Sequence, residues 1–187
     1  TSTGGPAHNL TAATYHSTIQ AAIDAATDGD VIEVAPGTYA ENVVVNKRVT
    51  LDGAGATSIL NAAGKAIAVT ASGASETDRL VIRDFAFNGP NASGGGDAIS
   101  FEPAAGGAHI TVDNISSTGY GVGVHFRSGT MTDARIVNST FDGNGNAVRV
   151  ASAVTSMDGL TVDSCSMSNH LSSAFSNNPA GNVSNVN

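Results

Sequence analysis

Asp52, Arg83, Asp113 and Asp163 each close a short alternating run: "VTLD", "LVIR", "ITVD" and "LTVD". With "RIV" (135–137) set between the last two, the runs align an outward column of Asp52, Arg83, Asp113, Val137 and Asp163. Neighbouring strands lie about 4.8 Å apart, which places Arg83 between Asp52 and Asp113. Such a column can pair ions internally or contact an ion or a carbohydrate. Two acids separated by an arginine do not converge on a cation, so a charge ladder that keeps like charges apart is the simpler expectation. A second outward column sets His125 between Ser100 and Arg149. An imidazole beside a guanidinium makes a poor metal ligand, because the fixed positive charge repels a cation. Asp52, Arg83, Asp113, Asp163, His125 and Arg149 are therefore the candidates for ion or carbohydrate contact. Spacing nominates no catalytic residue, no metal site and no cofactor.

The surrounding composition narrows the classes. The chain has 187 residues and a formal net charge of −8, with only eight Lys plus Arg and five His. Phosphate backbones demand clustered cations, so nucleic acid is excluded as the expected partner. No run approaches the roughly 18 apolar residues of a membrane span, and no signal peptide is recognisable. Cys165 is the only cysteine, so no disulfide forms within the chain. Charged residues make up 13% and aromatics 5%. The expected core is therefore built from many small apolar side chains rather than a few large rings.

The elements that must hold these columns are read from repetition. One register carries Val49/Leu51, Leu80/Ile82, Ile110/Val112, Ala134/Ile136 and Leu160/Val162. A second carries Ile67/Val69, Ile99/Phe101, Val124/Phe126 and Val148/Val150, with Phe175 continuing from Val150. A third, weaker one carries Phe85/Phe87, Ile115, Phe141 and Cys165/Met167. Three short strands per period, apolar at alternate positions, predict an all-β parallel β-helix of about six three-strand coils. Asn and Gly mark the corners, since both tolerate the left-handed backbone. Asn114 and Asn138 share one corner, where an internal asparagine stack is expected. In "STIQAAIDAA" (17–26), Ile19, Ala22, Ile23 and Ala26 share a helical face, and Ser17 and Gln20 have capping-box spacing. The predicted organisation is an arm over 1–14, a capping helix over 15–28 and the β-helix over 29–187. No cap is evident after Val186. Further coils, a domain or a neighbouring subunit are expected to cover that end.

The stretch "TIQAAIDAATDGDVIEVAPGTYAENVVVNKRVTLDGAG" (18–55), with Gly37, Tyr39 and Glu41 inside it, resembles the start of pectin-lyase-like right-handed β-helix proteins. It is similar in particular to pectin methylesterases and to sugar-hydrolase and carbohydrate-binding β-helix repeat proteins. The resemblance implies a right-handed coil and a polysaccharide partner. An esterase of this kind needs glutamines to stabilise an oxyanion, and the chain has one, Gln20. A polygalacturonase-like site needs adjacent aspartates and a Gly-His-Gly, and neither occurs. A pectate-lyase-like site needs carboxylates for Ca²⁺ and a base, a role that would fall to Arg83. The expected function is a non-catalytic extracellular or cell-surface β-helical module for structure or adhesion, contacting carbohydrate and assembling through its C-terminal end. The alternative is a Ca²⁺-dependent uronan lyase or epimerase.

Overall fold

A strand of three to five residues has little stability of its own and holds only when neighbours pair with it. Here that neighbour is the strand one turn of chain away. The computed structural model describes residues 4–93, 95–104, 106–177 and 182–184. Its first parallel wall stacks Val31–Val34, Thr50–Asp52, Leu80–Arg83, Gly107–Asp113, Gly129–Val137, Val154–Asp163 and Asn182–Ser184. The second stacks Gly37–Tyr39, Ser58–Leu60, Ala86–Asn88, Ser116–Thr118, Thr140–Asp142 and Ser166–Ser168. The third stacks Val43–Val45, Lys65–Val69, Asp97–Phe101, Val122–Phe126, Asn146–Val150 and Ser173–Asn177. Together they form an all-β parallel β-helix of about five turns.

The first register holds as aligned: Leu51, Ile82, Val112, Ile136 and Val162 are successive partners. Four of them are fully buried, while Val162 packs half-buried against the same core. Each full burial of this kind contributes about 2 kcal/mol. The other registers depart in two places. Phe175 lies over Val148, not Val150, which pairs with Asn177. The Asn146 side chain sets that step, donating to the Ser173 carbonyl at 3.1 Å and to its Oγ at 2.9 Å. In the second wall the column reads Leu60, Phe87, Ser117, Phe141 and Met167. Ser117 thus takes the place expected of Ile115, which is buried at the preceding corner. The large rings also matter more than composition implied. Phe85, Phe87, Phe101, Phe126, Phe141 and Tyr120 head the fully buried side chains, and Phe101 stacks on Phe126 with centroids 5.2 Å apart.

Asp84, Asn114, Asn138 and Ser164 all turn the first wall into the second with φ of 60°, 49°, 52° and 54°. The two asparagines are exposed rather than stacked inside. Asn138 Nδ2 donates to Asp113 Oδ1 at 2.8 Å, and Asn114 donates to Asp84. A short polar side chain at this corner satisfies a carboxylate of the coil beneath more readily than it surrenders water inside an apolar core. At the entry to the third wall, backbones approach so closely that only glycine fits. A Cβ on Gly96 would lie 2.4 Å from the Gly64 carbonyl oxygen, and one on Gly145 2.4 Å from that of Gly121.

The helix is shorter than expected, spanning Ile19–Ala25, with Ile19, Ala22 and Ile23 buried. Residues 14–16 instead form a strand paired antiparallel with Ala7–Asn9, which pairs antiparallel with Val31–Val34. Thr18, not Ser17, caps the helix, its Oγ1 accepting from the Ala21 amide at 3.0 Å. Glu41 completes that end by accepting from the amides of Ile19 at 3.1 Å and Gln20 at 3.3 Å. The Gly-x-Tyr-x-Glu stretch is therefore structural: Tyr39 donates to the Ala35 carbonyl at 2.6 Å and Glu41 anchors the helix. Val186 lies outside the described residues.

Candidate functional site

The first outward column is a charge ladder with one strong rung. Asp52, Arg83, Asp113, Val137 and Asp163 occupy successive coils in register. Arg83 Nη2 donates to Asp52 Oδ2 at 2.5 Å, and its Nε stands 3.7 Å from Asp84. The hydrogen bond to Asp52 pushes the Arg83 guanidinium above its ordinary value. Asp113 is held by Asn138 rather than by Arg83, and Asp163 is exposed at the edge. Asp28 and Asp30 serve the turn after the helix. Asp30 is buried, accepting from Asn9 Nδ2 at 2.8 Å and the Thr27 amide at 2.9 Å, while Asp28 accepts from the Arg48 amide at 2.8 Å.

Asp52 also lines a cleft of about 370 Å³ between this wall and the N-terminal hairpin. Its other walls include His8, Tyr15, Glu33, Pro6 and Pro36. Glu33 and Asp52 are register partners on adjacent strands. Tyr15 is 55% exposed and stacks on His8, centroids 4.0 Å apart and planes 6° from parallel. The cleft thus carries a partly exposed ring at one side, stacked on His8 and packed against Gly4, and two carboxylates on the strands beyond His8.

The second column forms another cleft, about 340 Å³, on the third wall. Ser100, His125 and Arg149 are register partners as aligned. Joining them are Asp97 and Arg127, which the sequence reading did not single out. Asp97 is 1% exposed, its Oδ1 3.1 Å from His125 Nδ1 and its Oδ2 accepting from Arg127 Nε at 2.7 Å. Burial acts to raise the Asp97 carboxyl, but hydrogen bonds from His125 and Arg127 outweigh it and hold the group below its ordinary value. His125 Nε2 is buried without a hydrogen-bond partner, and so is Ser100 Oγ beneath it. The signal for Arg127 was its period-two spacing from His125. Asp97 gave none, because "DAISF" reads as a plain buried strand.

A third polar cluster is closed on itself. Arg79, His109 and Arg135 converge on Asp133, with His109 Nδ1 at 2.8 Å and Arg135 Nε at 3.1 Å. Arg79 also donates to Thr111 Oγ1 at 2.6 Å and to the Ile110 carbonyl at 2.7 Å. Every group has a partner, so this is a clamp across coils. Among the described residues no three His, Cys, Asp or Glu side chains gather as a metal site. Among the same residues no helix is long and apolar enough to cross a membrane.

Fold and clefts together define a parallel β-helix with polar clefts on its outer walls. No family model, no curated protein and no solved structure matches the chain.

Proposed function

We propose that the chain is a non-catalytic extracellular or cell-surface module, a right-handed pectin-lyase-like β-helix of six coils that contacts carbohydrate through the hairpin cleft. The observation that carries this reading is Tyr15, 55% exposed in the cleft that Glu33 and Asp52 also line. A sugar offers an apolar C–H face and a rim of hydroxyl donors. An aromatic ring takes the first, and carboxylates accept from the second. The helix Ile19–Ala25 acts as the cap of the first coil. Gln20 supports this by bonding the edge of Val43–Val45 like a strand, accepting from the Val44 amide at 2.7 Å and donating to its carbonyl at 3.2 Å. The right hand and the polysaccharide partner rest on the resemblance of residues 18–55. A lyase is less well supported, because a base must give up its proton, and the bond to Asp52 makes Arg83 hold its proton more tightly.

Glycan-array and calorimetric binding tests the reading. A neutral oligosaccharide should bind, and Tyr15→Ala should weaken it by roughly tenfold, the loss of one aromatic contact. The unfolding temperature should fall only slightly, since the ring is more than half exposed and loses mainly its stacking on His8. No binding to any glycan would overturn carbohydrate contact. A Ca²⁺-dependent rise in unsaturated product from polygalacturonate or alginate, abolished by Arg83→Ala, would overturn the non-catalytic reading.

A further inference from the structure

Almost every cation of this acidic chain is spoken for. Arg48, Lys65, Arg79, Arg83, Arg127 and Arg135 each pair with a carboxylate, and Lys47 donates to the carbonyls of Asp24 and Ala26. Among the described lysine and arginine side chains that of Arg149 alone has no hydrogen bond or ion pair. It is exposed, and it lines the third-wall cleft with Arg127, His125 and Asp97. Two guanidiniums face one carboxylate there, so the cleft carries excess positive charge on a molecule of net charge −8. The cleft is also lined by His125, whose Nε2 is orphaned, and the equally orphaned Ser100 Oγ belongs to its register partner one coil beneath, outside the lining. Buried polar atoms are nearly always satisfied, and two orphans in register neighbours call for a ligand or a water.

We propose that this cleft binds an oxyanion: a carboxylate, sulfate or phosphate group, free or carried on a saccharide. Arg149 and Arg127 supply charge-assisted donors, and Arg149 stands in register with His125 on the next coil. Asp97 accepts from Nδ1–H and fixes the ring, and the anion is bound by the imidazolium form, in which Nε2–H donates as well. Asp97 is a positioning residue and touches no ligand. Gly96 and Gly121 line the cleft as well, with their backbones packed against the neighbouring coils. A neutral sugar gains nothing from this arrangement, which separates it chemically from the Tyr15 cleft. The inference stands whether or not that cleft binds carbohydrate.

The test is titration of the full chain with sodium sulfate, phosphate and acetate at low ionic strength, followed by calorimetry and by the His125 ring-nitrogen resonances. A sulfated and a carboxylated oligosaccharide form the second arm, and glucose is the neutral control. Saturable binding should shift the His125 Nε2 resonance. Arg149→Ala should weaken binding roughly tenfold or more, as expected for a lost charge-assisted bond, with unfolding unchanged. Arg149→Lys should restore part of it, and Tyr15→Ala should leave it untouched. Tighter binding of either oligosaccharide than of the free ions would identify a saccharide-borne group; equal binding would identify the free anion. Absence of saturable binding, an unmoved His125 resonance, or equal affinity in Arg149→Ala would each overturn the site.

Discussion

Asp97 shows how much a single buried carboxylate does here. Its two oxygens hold His125 and Arg127 in place, and the partners keep it ionised despite near-complete burial. Its folded pKa lies below the ordinary aspartate value of 3.8, so the folded state binds fewer protons than the unfolded chain near that pH. The stabilisation is therefore fully present above about pH 5 and is lost as pH falls through the folded value. Asp133 and Asp30 shift in the same direction and add to the same loss. Urea unfolding should show the wild-type midpoint falling steeply between pH 5 and pH 3. Asp97→Asn should start lower, by about 2 kcal/mol for a buried partner left unsatisfied, and fall less over that range. An identical pH slope in the two proteins would show that Asp97 is not the titrating group. The residue was hard to find from sequence for a geometric reason. Its backbone partner is Val122, yet its side chain reaches His125, three positions further along the adjacent strand. Alignment by coil reports register partners and is blind to such diagonals. His125 and Arg149 were legible because they are register partners themselves.

The strands were legible for the same reason that the diagonal was not. A coil repeats the inward pattern of its neighbour, so Ile82, Val112 and Ile136 announce themselves by spacing, and the structure stacks them in that order. The misreadings fell where a polar side chain overrides an apolar pattern. Ser117 takes an inward place because its hydroxyl donates to Asn144 Oδ1 at 3.3 Å. Phe175 shifts because Asn146 clamps Ser173. The helix begins late because Thr14–His16 is drawn into the hairpin, a long-range pairing that local propensity cannot foresee. The column still sets the stability. Val112→Asp would bury a carboxylate between Ile82 and Ile136 with no partner, at a cost of several kcal/mol, comparable to the whole stability of a domain. Circular dichroism should show an unfolded or grossly destabilised chain at neutral pH. Thr111→Asp on the outward side of the same strand should stay folded. A cooperative, wild-type-like melt for Val112→Asp would overturn the register.

At the scale of the whole molecule, stability should not be uniform. In a stacked solenoid each coil is stabilised by the coils above and below it, so a coil short of one neighbour is weakest. The central coils are sealed, with Ile136, Phe141 and Val148 at 0% exposure. One coil further on, Val162, Cys165 and Met167 are only partly buried, and Phe175 is 36% exposed. The first coil differs: the hairpin covers Val31–Val34, and Gln20 satisfies the edge of Val43–Val45. Amide exchange should therefore run as a gradient along the stack. Ser166–Ser168 and Ser173–Asn177 should exchange first, and Ser116–Thr118 and Val122–Phe126 last. The same apolar rows are the surface through which we propose that a neighbouring subunit or domain docks. Docking would cover these rows and slow exchange in these strands alone. Exchange measured at low and high protein concentration, beside sedimentation velocity, separates the outcomes. Self-association with concentration-dependent protection confined to 166–177 would identify a second copy as the partner. A monomer at every concentration with rapid exchange there would leave a separate domain as the cover, and a monomer already protected there would remove the need for any.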